Sequence, residues 1–426
     1  MDIITKMTKD TIKPALASGF KDYLPDEMIP RQKMLDTIRA VFERFGYAPL
    51  DTPGLEKEEI LTGGDPDFKM NIFKARINES GEDMALRFDL TVPLARVMAG
   101  NPELKKPFRR YQIGKVWRGE RPQAGRYREF VQCDADIVGA KSMLADAEII
   151  AIIYTAMKDL GIKNFEIRIN NRKILNNLYA IADFDKEKTN MVLRAMDKKD
   201  KQGWQKVEEE LKNEGLSDKS ISLIKEFTSK SETDDPELNE IASYLDAMDI
   251  PRSAWKIDLS VARGLGYYTG TVFETILTDL PSIGSVCSGG RYDGLTARFG
   301  GDSLPATGTS FGIDRLYAAL SELGLVNATA SIAKVIVLNF DEQSLPKCLS
   351  VSSSLRNNNI SVELYQGSET SLTGQLTYAV KKGFSAAVII GADEVDKNTV
   401  QIKNLKTKEQ NEISDSDVIT EIYKII

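Results

Sequence analysis

The sequence predicts an α+β domain interrupted by a helical module and followed by a small α/β domain. Three observations carry this expectation. Residues 108–139, FRRYQIGKVWRGERPQAGRYREFVQCDADIVG, read as two strands joined by a loop. Residues 172–250 are rich in Lys, Glu and Asp and lose strand alternation, which reads as several short helices inserted in the domain. From residue 334 the short apolar runs VIVLNF, SVELY, AAVIIG and VQIKNL alternate with helical stretches, the pattern of a mostly parallel sheet.

Taken in order, residues 1–17 form a loose leader, and the main domain is expected over 18–330 with the smaller one over 331–426. Leu35, Ile38, Val41, Phe42 and Phe45 fall near helical spacing, and Gly46 ends that helix. The segment 45–53 then reads as a strand arriving at Pro53, and Ile72–Ile77 as another. Pro93 sits where a helix begins, with Asp89 and Thr91 before it as capping residues. After the 108–139 hairpin come an amphipathic helix over 145–160 and a short strand at Phe165–Ile169. Strand character returns at Trp255, and residues 304–323 read as a strand running into a helix.

Composition narrows the chemistry. The chain has 426 residues, 42% apolar and 28% charged, as in ordinary globular proteins. Its three cysteines, Cys133, Cys287 and Cys348, lack CxxC spacing, which argues against a zinc site and for a reducing, cytoplasmic setting. No apolar run reaches the roughly 18 residues of a membrane span. The net charge of −7 means that a nucleic acid must be met by local basic patches. There is no histidine, so imidazole is excluded as base, nucleophile or metal ligand. Chemistry must run on carboxylates, arginines, backbone groups and the substrate itself.

The hairpin concentrates that chemistry. Its loop holds Arg118, Arg121, Arg126 and Arg128, and its return strand carries Gln132, Asp134 and Asp136. Planar guanidinium forks match phosphate oxygens, and Phe130 is placed to stack under a base; a solvated basic loop with Phe130 in the core is the other reading. Cations at one end and carboxylates at the other suit a substrate pair such as ATP and an amino acid. Two further blocks bear on this. GTSFGIDRL, 308–316, is a strand–turn–helix with Arg315 on the first helical turn, either an anion site or simple helix packing. RGLGYYTG, 263–270, sets a cation beside Tyr267 and Tyr268; on a strand these point to opposite faces, so at most one enters a given pocket.

Together these blocks resemble the class II aminoacyl-tRNA synthetases, and within them the histidyl-tRNA synthetase family. FGYAPLDTP, FRRYQIGKVWRGERPQAGRYREF and GTSFGIDRL resemble the three class motifs in register; ARGLGYYTG and SGGRYDGL resemble two blocks peculiar to the histidine family. The resemblance implies a catalytic domain of class II type, with a mainly antiparallel sheet and a helical insert, and a C-terminal anticodon-binding α/β domain. It implies ATP and L-histidine as substrates, Mg²⁺ accompanying ATP, no zinc, histidine tRNA as partner, and a homodimer through the motif containing Pro53. A regulatory paralogue in the same family generally lacks the C-terminal module; this chain has it.

Residue by residue, the resemblance assigns the α-phosphate of ATP to Arg118, the adenine amino group to Glu120, the outer phosphates to Arg126 and Arg315, and the adenine ring to Phe130. It assigns the α-amino group of histidine to Asp89, Thr91 and Gln132. Asp136 and Tyr268 would hold the imidazole, with Tyr267 and Tyr292 lining the pocket. Arg263 matches the family's special catalytic cation. The chain departs from the family at Gly266, where an acid is usual, which bears on how Arg263 is oriented. Gln123, at the loop tip, matches a position that reads the extra 5′ nucleotide of the tRNA in some members. In the C-terminal domain Lys381, Lys382, Lys397, Lys403, Lys406 and Lys408 are available for phosphate contacts or as a solvated surface.

Overall fold

The structure is a computed structural model describing residues 13–63, 72–76, 81–121, 126–230, 233–262, 267–326, 328 and 330–426, with only the backbone of residues 200 and 201. Gln123, Arg263, Gly266 and most of the expected leader lie outside the described residues. The chain divides into two compact units, residues 1–22 with 34–326 and residues 23–33 with 327–426.

The larger unit is built on eleven strands: β1 (Ala48–Pro49), β2 (Leu55–Lys57), β3 (Phe73–Ala75), β4 (Met84–Leu86), β5 (Phe108–Trp117), β6 (Glu129–Val138), β7 (Phe165–Asn171), β8 (Trp255–Ile257), β9 (Thr271–Leu277), β10 (Cys287–Arg291) and β11 (Ala306–Gly312). Eight of them form one sheet in the order β1-β5-β6-β11-β10-β9-β7-β8. The two edge pairings are parallel and the rest antiparallel. The expected mainly antiparallel sheet is therefore present, and its centre is the hairpin β5–β6.

Strand alternation sorts β6 into two faces. Cys133 and Ala135 join the helix-backed core with Tyr111 of β5 and Phe311 of β11. That core is closed by apolar stripes from three helices: Met34, Ile38 and Phe42 of Pro25–Arg44, Ile149 and Ile153 of Leu144–Asp159, and Leu316 and Leu320 of Ile313–Glu322. Gln132, Asp134 and Asp136 point the other way. The antiparallel register sets Asp136 beside Arg110 and Gly308, Asp134 beside Gln112 and Ser310, and Gln132 beside Gly114 and Gly312.

The expected insert forms helices from Arg172 to Ala247. Most of it closes a separate core of residues such as Leu178, Val192, Leu211 and Ile224. Its last helix, Pro236–Ala247, differs: Leu238, Ile241, Ala242 and Leu245 pack into the main core. Asp235 starts that helix, its side chain accepting from Leu238 N at 2.9 Å, with Pro236 at the first helical position.

The smaller unit contains β12 (Val335–Val337), β13 (Val362–Leu364), β14 (Ala386–Ile389), β15 (Thr399–Asn404) and β16 (Gln410–Ser414) in the order β13-β12-β14-β15-β16. The expectation of a mostly parallel sheet needs correcting. β13, β12 and β14 are parallel, joined through the helices Leu345–Asn357 and Leu372–Lys382, but β15 and β16 are added antiparallel. A connection as short as residues 405–409 can only reverse the chain, since parallel neighbours need a long crossover.

One buried ion pair ties β10 to the helix Leu144–Asp159. Arg291 donates to Asp146, to Ala140 O (3.2 Å) and to Ser142 O (3.1 Å), and both charged side chains are almost wholly buried. Asp146→Ala would leave the guanidinium buried without its counter-charge, so a loss of about 3–5 kcal/mol in denaturant unfolding is expected.

Candidate active site

A cavity of about 370 Å³ opens on the pocket face of β6, β11 and β10. It is lined by Asp89, Thr91, Arg118, Glu120, Arg126, Phe130, Gln132, Asp136, Tyr267, Tyr268, Tyr292 and Arg315. Every described residue singled out from the sequence for substrate binding is thus in one place.

The cationic end lies where β5 leaves the sheet. Arg118 Nε donates to Phe88 O (3.0 Å), and the guanidinium stands 5.1 Å from the centre of the Phe130 ring. Phe130 accordingly faces a cation on the cavity wall, not the helix-backed core. Arg126 and Glu120 form an exposed ion pair at 3.7 Å. Arg315, in the first turn of its helix, reaches Ser285 O with Nη1, so its guanidinium turns to the cavity while the neighbouring Asp314 receives Val131 N.

The acidic end is buried. Asp136 accepts from the Tyr292 hydroxyl at 2.5 Å through Oδ1. Arg110, fully buried, comes within 2.8 Å of Asp136 Oδ2 but out of line for a hydrogen bond; its Nη2 donates to Leu90 O instead. Asp89 accepts from Val92 N (3.1 Å), so one of the two expected caps is realised. Thr91 is itself the first helical residue, and Pro93 stands third, because the Asp89 carboxylate lets the helix begin earlier. Gln132 Nε2 donates to Ser310 Oγ (2.7 Å), and Ser310 lies across the strand from Asp134.

Burial dominates the electrostatics here. It pushes Asp89 up to about 6, against the Val92 N–H and the nearby Arg118 and Arg110 charges. Asp134 and Asp136 are likewise raised by burial, with Arg110 opposing. Three carboxylates share one buried guanidinium, and the balance leaves room for positive charge from outside.

The adjacent tyrosines overturn one expectation. Tyr267 and Tyr268 both line the cavity, their ring centroids 5.0 Å apart, with Tyr292 5.9 Å from Tyr267. They precede β9, which begins only at Thr271, so the alternation of a strand does not apply to them. Space for these groups comes from missing side chains. A Cβ on Gly290 would approach the Tyr268 ring to 3.0 Å, and one on Gly308 would stand 1.9 Å from Asp136 Oδ1.

Two residues of the site were not assigned a role from the sequence. Arg110 is hidden in a run of three polar-to-aromatic strand positions, and only the hairpin register shows it opposite Asp136. Asp134 had a signal, its place between Gln132 and Asp136 in the period of two.

The fold and this cavity, with arginines at one end and carboxylates at the other on a mainly antiparallel sheet, define a class II aminoacyl-tRNA synthetase. The profile of the histidyl-tRNA synthetase family matches residues 19–316, and that of the anticodon-binding domain residues 333–425. Histidine–tRNA ligases from Clostridium tetani and Wolinella succinogenes are 41% and 43% identical, covering 99% and 96% of this chain and 99% and 98% of their own. The crystal structure of histidyl-tRNA synthetase from Nostoc sp. PCC 7120 superposes with a TM-score of 0.87 at 34% identity over 98% of this chain and all of that one. The chain belongs to the histidyl-tRNA synthetase family.

Two outcomes follow from the site's packing. Gly308→Ala forces Asp136 off Tyr292, and a loss of about 1–3 kcal/mol is expected in urea unfolding. The buried carboxylates bind protons more tightly in the folded state than in the unfolded chain, so ligand-free stability falls as pH rises from about 4 through about 6 for Asp89, and further for Asp134. Asp134→Asn should therefore lose less thermal stability than the parent between about pH 5 and about pH 8, read as the shift in unfolding midpoint.

Proposed function

We propose that this chain attaches L-histidine to its tRNA in two steps, ATP activation to histidyl-adenylate and transfer to the terminal ribose, with the residues above in the following roles. The observation that carries the reading is the polarity of the cavity along β6. From Phe130 to Asp136 the strand runs about 20 Å, from a cationic mouth to a buried acidic floor, the span needed for a nucleotide and an amino acid laid end to end.

Arg118 holds the α-phosphate, with Phe130 under the adenine and Glu120 at its amino group. Arg126 and Arg315 take the outer phosphates. At the other end Asp89, Thr91 and Gln132 receive the α-amino group, and Asp136 and Tyr268 the imidazole, while Tyr267 and Tyr292 close the wall. The histidine carboxylate attacks the α-phosphorus in line and pyrophosphate leaves. That carboxylate is already a nucleophile, so no protein base is required, and a chain without histidine meets no deficit. Catalysis is then positioning together with stabilisation of charge by Arg118 and Arg263. Among the described residues no group of three acidic or cysteine side chains is placed to hold a metal. Mg²⁺ is accordingly read as part of the MgATP substrate.

The anticodon-binding domain supplies the tRNA contact, with its exposed lysines among the phosphate partners, and Gln123 meets the 5′ end. Domain limits of 18–330 and 331–426, a homodimer through the Pro53 motif and a cytoplasmic setting complete the reading. All three cysteines are free and buried, and among the described residues no helix is long and apolar enough to cross a membrane.

ATP–pyrophosphate exchange with each amino acid tests the assignment: exchange is expected with histidine alone, followed by charging of histidine tRNA. Exchange with a different amino acid would overturn it. Asp136→Ala should raise the KM for histidine by roughly 10²-fold with little change for ATP, since a buried charged partner is lost on one side only. A parallel loss for both substrates would move Asp136 out of the imidazole role.

A further inference from the structure

The pocket face of β6 offers more acceptors than the assigned roles use. Among the described residues, Asp89 Oδ2, Gln132 Oε1 and Asp134 Oδ1 are buried without a hydrogen-bond partner, and all three residues line the cavity. Asp136 is engaged differently, by Tyr292. Gln132 spends its amide nitrogen on Ser310, which leaves its oxygen as the acceptor. Arg110, the nearest buried cation, makes no hydrogen bond to Asp134: its Nη2 goes to Leu90 O, and its Nε and Nη1 have no partner. Asp134 is thus a buried carboxylate beside Ser310 of β11, with an open oxygen and no internal cation bonded to it.

An ammonium group carries three N–H donors and no acceptor. We propose that Asp134 is a third acceptor for the substrate's ammonium group, completing with Asp89 and Gln132 a three-oxygen seat that selects for a free α-amine. The inference rests on the histidine reading above and adds a residue to it. Two carboxylates and an amide oxygen around one ammonium satisfy every donor. They also bring a positive charge to a place where Asp89, Asp134 and Asp136 outnumber Arg110. A buried carboxylate without a partner costs stability in the free protein, and the ligand removes that cost on binding. Affinity is thereby tied to the amine itself. An analogue that keeps the imidazole and carboxylate but lacks the amine leaves all three oxygens unsatisfied.

Pyrophosphate-exchange kinetics on the full-length protein separate the possibilities. In Asp134→Asn, which keeps the shape but replaces the carboxylate with a neutral amide, the KM for histidine should rise roughly tenfold to a hundredfold, with the KM for ATP within about twofold. Inhibition by histamine, which has the amine, should weaken by a similar factor. Inhibition by imidazolepropionate, which lacks it, should hold. If both inhibitors weaken equally, Asp134 serves the ring or the cavity's shape and the proposal fails. If neither weakens and the histidine KM is unchanged, Asp134 is a bystander and it fails likewise. Ser310→Ala keeps the carboxylate but removes the hydroxyl that anchors Gln132 beside it, and should raise the histidine KM a few-fold with the same split between the inhibitors. Absence of histidine-dependent exchange in the parent protein would instead remove the histidine reading itself, so the two failures are distinguishable.

Discussion

The constraint on which the site depends is the alternation of a single strand held in register on both sides. β6 gives one face to the helix-backed core through Cys133 and Ala135 and the other to the cavity through Gln132, Asp134 and Asp136. A slip of one residue would exchange these sets, burying carboxylates among aliphatic side chains. The hydrophobic face therefore fixes the position of the polar face. Neighbouring strands add the complement: β5 delivers Arg110 beside Asp136, and β11 delivers Gly308, whose missing side chain leaves Asp136 its room, and Ser310, which stands beside Asp134. Core packing and site geometry are thus one requirement.

Much of this was legible because it is local. The hairpin could be read from alternation and from the Arg-rich loop, and the strands fall at 108–117 and 129–138 within the segment expected. The strand–turn–helix of 308–316 could be read from its glycines and the periodicity that follows. What escaped was set by distant partners. Asp146 and Arg291 are 145 residues apart in sequence, and nothing in either neighbourhood announces the pair. Tyr267 and Tyr268 were misjudged because strand geometry was extended into a loop. At the edge of the smaller sheet β15 was read as the run VQIKNL but not its antiparallel direction, and β16, QNEIS, was missed for a related reason: it has no apolar alternation, being an exposed strand whose place is given by its turn. The last helix of the insert was expected only as one of several short helices, and the main core that it covers was not visible locally.

The absence of histidine is chemically coherent with this architecture. A site that must abstract a proton needs a group titrating near neutrality, and imidazole is the usual choice. Activation of a carboxylate by ATP needs none, because the nucleophile arrives ionised and the work is to hold two anionic groups together. Guanidinium groups do that without changing protonation state. Arg118 and Arg315 are each anchored to a backbone carbonyl at the cavity wall, Phe88 O and Ser285 O.

The acidic floor works by the opposite logic. Arg118 and Arg315 each have a backbone anchor, whereas Asp89, Asp134 and Gln132 keep oxygens with no internal partner among the described residues. Polar groups left unpaired in a protein interior are costly, and the folded core must outweigh that cost before any ligand arrives. The larger sheet supplies the surplus: its core is backed by helices, the last helix of the insert among them, and the Asp146–Arg291 pair ties β10 to the helix Leu144–Asp159. Fold stability is thereby converted into discrimination. A ligand with donors in the right places recovers the cost in full, while one without them leaves it standing, so a cavity of modest size can separate closely similar small molecules without a second, corrective site.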